Sequence, residues 1–376
     1  MWTQQVRRRR EALKLLLTAG AEVKADFGKS RCRQMLEIGV LGLKGYGAAD
    51  YYLLGLYKDP GLAARFMTNA QYNEARRRLN KPVQGIIEFN KWIFAKYCES
   101  LGIPTPHCYG VFNREFGFTE DQASLRSFED LCALLCSVGK PIVVKPLAGN
   151  RGDGVRVFKE IDRGQQILVG ANRSKTTFRQ LHEALAGKGD AWLVQEKVEQ
   201  HPVLSELHAS SVNTARIITL RGESGDIVIL TAALRIGVGG AEVDNTTGGG
   251  IAAEIDLASG ICRAAKSRSS IRPIVTHPDT GHQIEGLALP CWAGVKETTL
   301  KAHQFLPFAR SLGWDVAFGP SGPVILEVNG SWYYNRVQMT GQSLWETEFG
   351  RSLAGHGARR RQRPQLLRPS SDLPSS

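Results

Sequence analysis

The chain has 376 residues, 42% hydrophobic and 22% charged, a length and balance that suit two or three packed globular units and exclude a disordered polymer. Its formal net charge is +12 and its pI lies near 9.5, which predicts anionic partners, but much of the excess sits in the terminal clusters Arg7–Arg10 and Arg359–Arg363. No apolar run approaches the roughly 20 residues that cross a bilayer as a helix, and Leu13–Leu17 behind the first basic cluster is too short for a signal peptide, so a cytoplasmic protein is expected.

Residues 1–88 read as a mainly helical unit, from the spacing of Leu13, Leu16 and Leu17 and a polar helix through Ala75–Leu79. No chemical motif falls in this unit, and it is expected to cap the rest. Residues 89–190 read as an α+β unit. Lys91–Leu101 is helical and stops at Gly102 and Pro104, His107–Phe112 alternates like a strand, and a helix over Phe128–Ser137 leads into the apolar strand Pro141–Pro146 with Gly154–Phe158 as its hairpin partner.

A second α+β unit is expected over 191–349, opening with the strand Ala191–Val198. It continues through the hairpin Thr214–Leu220 and Ile227–Arg235, then the pair Ile251–Asp256 and Ile261–Ala264, with turn signals at Glu223–Asp226 and Ala258–Gly260. A long helix over Gly294–Leu312 precedes two closing strands around Ser321-Gly322. The segment 350–376, rich in Arg, Gln, Pro and Ser, lacks apolar periodicity and is expected to be a disordered basic tail. The seven cysteines show neither zinc spacing nor a disulfide framework and read as reduced thiols in the core.

Lys145-Pro146 ends an apolar strand and is followed by Gly149, Asn150, Arg151, Gly152, Asp153 and Gly154. A glycine-rich turn lets backbone N–H groups approach anionic oxygens, and a lysine on the adjoining strand neutralises charge, as in a phosphate-covering loop. A tight hairpin turn needs the same glycines. The spacing matches neither a Walker loop nor a dinucleotide-binding fingerprint.

Near the C-terminus Asp315 and the run Leu326-Glu327-Val328-Asn329 fall on neighbouring strands. Alternation can place Asp315, Glu327 and Asn329 on one face as three hard oxygen ligands suited to magnesium. Solvated strand carboxylates are the alternative, but both acids are flanked by apolar residues, where an unpaired charge is costly.

Taken together, these residues resemble the ATP-grasp superfamily, and specifically its sugar-transfer-associated group, over roughly 90–350. The resemblance rests on Lys91, Lys145-Pro146 with Gly149–Gly154, Gln195-Glu196, Ser211–Arg216, Val243-Asp244-Asn245 with Gly248–Gly250, and Asp315 with Glu327-Val328-Asn329. It implies an α+β fold in which two subdomains sandwich ATP, with the mainly helical unit ahead of them. It further implies that Lys91 and Lys145 contact phosphates under the loop carrying Gly149, Arg151, Gly152 and Gly154, and that Gln195, Glu196 and Val198 receive adenine, chiefly through backbone hydrogen bonds.

In a ligase of this kind Arg216 and Arg235 would hold the transferred phosphoryl group, although either could instead pair with Glu254 or Asp256. Asn245, Gly249 and Gly250 would wall the substrate, or else form a bulged turn. His201 and His208 receive no role.

The expected function is an ATP- and Mg2+-dependent carboxylate ligase that forms an amide, or an ester, through an acyl phosphate, with a small-molecule carboxylate and a nucleophilic acceptor as partners. The family context associates this with glycan or cell-surface metabolite synthesis. A phosphotransferase acting on a hydroxyl uses the same cations and metal ligands, and a non-catalytic nucleotide- or nucleic-acid-binding protein would fit the basic ends.

Overall fold

Two antiparallel sheets, bridged by a helix that packs on both, organise the chain. The computed structural model describes residues 12–80, 85–149, 154–170, 173–187, 191–240, 249–332, 334–339, 343–347 and 349–351. The tail expected beyond 350 therefore lies outside the described residues from 352 onward.

The N-terminal part is helical, with α1 (Ala19–Phe27), α2 (Arg31–Leu43), α3 (Ala48–Leu53) and α4 (Asn69–Leu79). Thr68 and Gln71 form a capping box that starts α4. Tyr72, Ala75 and Leu79 of α4 bury against Ile218, Leu220 and Trp332. Just beyond, the buried Asn80 side chain accepts from the amides of Arg310 (3.1 Å) and Ser311 (2.9 Å) and donates to the Ser311 carbonyl (2.7 Å). Helix α4 and Asn80 thereby buttress the second sheet.

After α5 (Gly85–Phe89), helix α6 (Lys91–Ser100) is capped by Asn90, whose side chain accepts from the Trp92 and Ile93 amides. The first sheet has seven strands in the order β2-β1-β7-β3-β4-β5-β6. They are β1 (Cys108–Phe112), β2 (Phe118–Thr119), β3 (Ile142–Pro146), β4 (Arg156–Asp162), β5 (Ile167–Gly170), β6 (Lys175–Thr177) and β7 (Trp192–Glu196). Helices α7 (Phe128–Ser137) and α8 (Phe178–Ala186), each begun by a capping box, cover one face and bury Leu131, Leu135, Phe178 and Leu181 against Ile142, Val144, Trp192 and Val194.

Strand β7 corrects the sequence reading, which opened the second unit at 191. It pairs with β1 through Val111↔Leu193 and with β3 through Lys145↔Leu193, in the middle of the first sheet. Its near-continuous burial marks a central strand, but apolar content alone does not say which sheet a strand joins.

The second sheet has six strands in the order β11-β10-β9-β8-β12-β13. They are β8 (Thr214–Arg221), β9 (Ile227–Ile236), β10 (Ile251–Ile255), β11 (Cys262–Lys266), β12 (Ser311–Gly319) and β13 (Gly322–Asn329), with α9 (Pro202–Leu207) ahead of β8 and α10 (Trp292–Gln304) ahead of β12. Alternation sorts the two faces: Ile217, Leu234, Ala253, Trp314, Val316 and Val328 enter a core with α10, while Arg216, Arg235 and Asp315 point the other way.

The helix expected to run to Leu312 stops at Gln304. Pro307 lacks the amide that a continuing helix would need, and the apolar spacing of Leu312, Trp314, Val316 and Phe318 has the period of a strand. All seven cysteines are free thiols; Cys98, Cys108 and Cys262 are buried, whereas Cys32, Cys136 and Cys291 are exposed rather than packed in the core.

Helix α6 joins the two layers. Phe94 and Cys98 pack into the core of the second sheet, and Ala95 packs with Cys108, Val111 and Leu193 of the first. Downstream, the Pro104 carbonyl accepts from the amide of Ile325 in β13 at 2.8 Å.

Candidate active site

Strand register assembles the acidic side of the site. Asp315 stands directly across from Arg216 on β8 and from Glu327 on β13. Arg235 lies one strand beyond, paired with Thr214 and diagonal to Arg216. Asp315 accepts from Arg216 Nε at 2.5 Å and Nη2 at 2.8 Å, and from Arg235 Nη1 at 3.0 Å. The three side chains are 6–12% exposed, so a planar fork meets a carboxylate with little water to weaken it. Glu254 faces Arg263 at 3.9 Å and Asp256 caps its own turn through Ser259, whereas both arginines reach Asp315.

The two carboxylates titrate in opposite directions. Burial would raise the Asp315 pKa, but Arg216 and Arg235 outweigh it and hold the carboxyl far below the usual range. Burial and the neighbouring Asp315 charge push Glu327 up, against the pull of Lys145 and Lys91. Glu327 is thus an under-compensated buried acid, with the Asn329 amide 3.4 Å away on the same strand face. Two hard carboxylates and an amide oxygen, one of them in need of positive charge, make a donor set that fits a magnesium ion.

Across from them stand two lysines. Lys145 projects from the end of β3 on the face opposite Ile142 and Val144, which enter the helix-covered core. Lys91 occupies the first turn of α6, where a cation opposes the helix dipole; its Nζ donates to the Gly149 carbonyl at 2.9 Å and its amide to the Leu147 carbonyl at 3.3 Å. Burial lowers the pKa of both lysines while Glu327 resists, and Lys145 comes down to about 8. Four cations against two carboxylates leave a net positive site, complementary to a polyphosphate.

An anion held against Lys145 restores its proton affinity, so binding draws a proton once the free protein has lost it. Below pH 8 the lysine is already charged and its affinity for an anion is complete; above pH 8 nucleotide affinity is expected to fall, approaching tenfold per pH unit. Titration calorimetry of ATP between pH 7 and 9.5 checks this, and a flat profile would remove Lys145 from the phosphate contact.

Gly149 and Gly154 flank the loop with φ of +148° and +80°. A Cβ on Gly154 would press to 3.2 Å from Pro146 and 3.5 Å from the Trp192 ring, so the closing glycine is required for close approach as well as for its left-handed backbone. Asn150–Asp153, including the candidates Arg151 and Gly152, lie outside the described residues.

The strand expected to receive adenine has its amides largely engaged. Gln195 is paired on both sides, Glu196 N–H donates to the His107 carbonyl (2.8 Å), and Lys197 N–H donates to the Pro141 carbonyl (2.9 Å). Glu196 also binds Lys140 at 2.7 Å. The Val198 amide makes no hydrogen bond among the described residues, and the buried Gln195 Oε1 has no partner there. An orphaned buried acceptor fits an exocyclic amine, so Gln195 is suited to contribute its side chain rather than its backbone.

Gly249 and Gly250 lead into β10, whose Ile251 and Ala252 pair with Ile236 and Arg235, which brings them beside the arginine end of the site. Asn245 and Gly248 lie outside the described residues. Asn213, part of the Ser211–Arg216 run, acts structurally: its side chain donates to the Leu204 and His208 carbonyls and accepts from the Gly237 amide. Sequence reading missed the direct contact of Asp315 with both arginines; the signal was the placement of the two arginines on adjacent strands.

A family model described as sugar-transfer associated ATP-grasp matches residues 68–349. No curated protein matches the chain. Among solved structures, similarity extends to a RimK domain ATP-grasp protein of Sphaerobacter thermophilus (14% identity, 68% of this chain and 67% of that one, TM-score 0.37). It extends also to phosphoribosylamine–glycine ligase of Thermotoga maritima (14%, 67% and 50%, 0.39) and biotin carboxylase of Campylobacter jejuni (11%, 82% and 53%, 0.44). The chain spans about half the length of the latter two, 50% and 53%.

Proposed function

This chain belongs to the sugar-transfer associated ATP-grasp family, and we propose that it is an ADP-forming ligase joining a small-molecule carboxylate to an amine. A substrate carboxylate oxygen attacks the γ-phosphorus of ATP, the bond to the β-phosphate oxygen breaks and ADP leaves. The amine nitrogen then attacks the acyl carbon, inorganic phosphate departs and the amine gives up a proton.

The arrangement that best supports this reading is the buried group of Arg216, Arg235, Asp315 and Glu327 on the second sheet, together with Lys145 at the end of β3 and Lys91 on the first turn of α6. Lys91 and Lys145 would hold the phosphates beneath the loop bounded by Gly149 and Gly154. The arginines, oriented by Asp315, aim positive charge at oxygens that become more negative during transfer. Gln195 and Val198 would receive adenine, and Gly249 and Gly250 would border the acyl substrate beside Arg235. Magnesium bound by Glu327, Asn329 and Asp315 would neutralise the terminal phosphates. A buried site also shields an acyl phosphate from water.

With hydroxylamine in place of the natural amine, protein, ATP, magnesium and a panel of carboxylates are expected to yield a hydroxamate and ADP in equal amounts. AMP with pyrophosphate would replace the acyl phosphate by an adenylate. A stable phosphorylated hydroxyl product without hydroxamate would make the protein a kinase.

A further inference from the structure

Helix α2 carries apolar residues on the side facing away from the protein. Its thirteen residues bury only Gln34 and Leu41, and Gln34 is held inside by bonds to the Gly20 and Lys29 carbonyls. On the opposite side stand Met35, Leu36, Val40 and Leu43, exposed by 50%, 70%, 51% and 91%. Their spacing follows the helical period, so they form one stripe. Gly39 and Gly42 continue it, with open space where a Cβ would lie. Of the large hydrophobic residues exposed in the described structure, seven of sixteen fall between Leu13 and Leu43, a concentration beyond the single scattered residues of an ordinary surface.

The charges around this stripe are one-sided. Glu22 accepts from the Ser270 hydroxyl and the Ile271 amide, Asp26 pairs with Arg272, and Glu37 takes Lys29, Arg33 and the Tyr51 hydroxyl. Each of the three acids between Leu13 and Leu43 is thereby engaged. Arg31 at the start of the helix and Lys44 at its end are exposed, as are Lys14 and Lys24, and none makes an ion pair among the described residues.

We propose that the α2 stripe docks on an anionic membrane surface, lying in the interface plane with Met35, Leu36, Val40 and Leu43 toward the acyl chains and Arg31 and Lys44 at the headgroups. An exposed apolar stripe flanked by unpaired cations is the chemistry of interfacial attachment. A second copy of the chain fits less well, because facing two such stripes brings like charges together.

The test is co-sedimentation of the full chain with vesicles of phosphatidylglycerol and phosphatidylcholine, and with phosphatidylcholine alone. Binding is expected to the anionic vesicles, weakened by salt, and at least tenfold weaker to the neutral ones. Leu36→Asp/Leu43→Asp is expected to weaken anionic binding at least tenfold with an unchanged melting temperature, since both leucines are exposed. Arg31→Glu/Lys44→Glu is expected to remove most of the salt dependence. Unchanged binding by the leucine variant would assign attachment to the basic termini and overturn the proposal. So would absence of vesicle binding, or a solution dimer that the leucine variant dissociates without any vesicle binding.

Discussion

Glu327→Gln is expected to lower ATP turnover by about a hundredfold or more while leaving the melting temperature at or above that of the parent. The loss follows from removing a charged oxygen ligand, and with it the neutralisation of the terminal phosphates in the transition state. The stability effect follows from the direction of the Glu327 pKa, which burial and Asp315 raise above 4.5. An acid whose folded pKa is raised contributes stability below its unfolded pKa and loses that contribution as pH rises through the folded value. Above its unfolded pKa the buried acid is therefore a net cost to the fold, and glutamine removes that cost at nearly the same volume. Lys145 and Lys91 lose an attraction in the variant, but in the parent they are outweighed by burial and Asp315. ADP release with a carboxylate that supports the parent, beside a thermal melt, reads both effects; near-normal turnover or a clear loss of stability contradicts the assignment.

Asp315→Asn reverses that pattern, with a stability loss of about 3 kcal/mol or more added to the loss of turnover. Removing one partner of a buried ion pair leaves the other charge desolvated and uncompensated, and here two guanidinium groups share the lost partner. The neutral amide still accepts one hydrogen bond from the arginines but offers no charge. The pH dependence carries the signature. Asp315 has a depressed folded pKa, so its contribution is complete above the unfolded value near 3.8 and fades as pH falls through the folded value. The gap between parent and variant in urea unfolding is expected to be full at pH 7 and to narrow below pH 4. Equal stability at pH 7 would mean that the three groups are not electrostatically coupled.

Much of the site was legible because period and chemistry agreed there. Apolar residues alternating around Asp315 and Glu327 identified strands, and a carboxylate between core residues needs a partner, which pointed to a site. That Asp315, Glu327 and Asn329 share one face followed from alternation on neighbouring strands and matches the register of β12 with β13. Which strands become neighbours was less visible. The placement of β7 beside β1 and β3 depends on contacts far apart in sequence, and the pairing of Asp315 with Arg216 spans 99 residues. Pairing of the Gln195 and Glu196 amides within the sheet was not visible, because a strand read alone does not reveal that both its edges are taken. The segment Ile167–Ala186 passed without assignment: β5 and β6 are short, and the strong amphipathic helix α8 carries no chemical motif.

The bridging helix α6 has a mechanical consequence. Because Phe94 and Cys98 sit in one core and Ala95 in the other, α6 works like a shared axle between the two layers. Lys91 rides on its first turn, so any rotation that widened the gap between Lys145 and Glu327 would drag that lysine with whichever layer kept its grip on the helix. Enlarging Ala95 to leucine would then act as a wedge at the axle, altering phosphate affinity from a position that touches no phosphate.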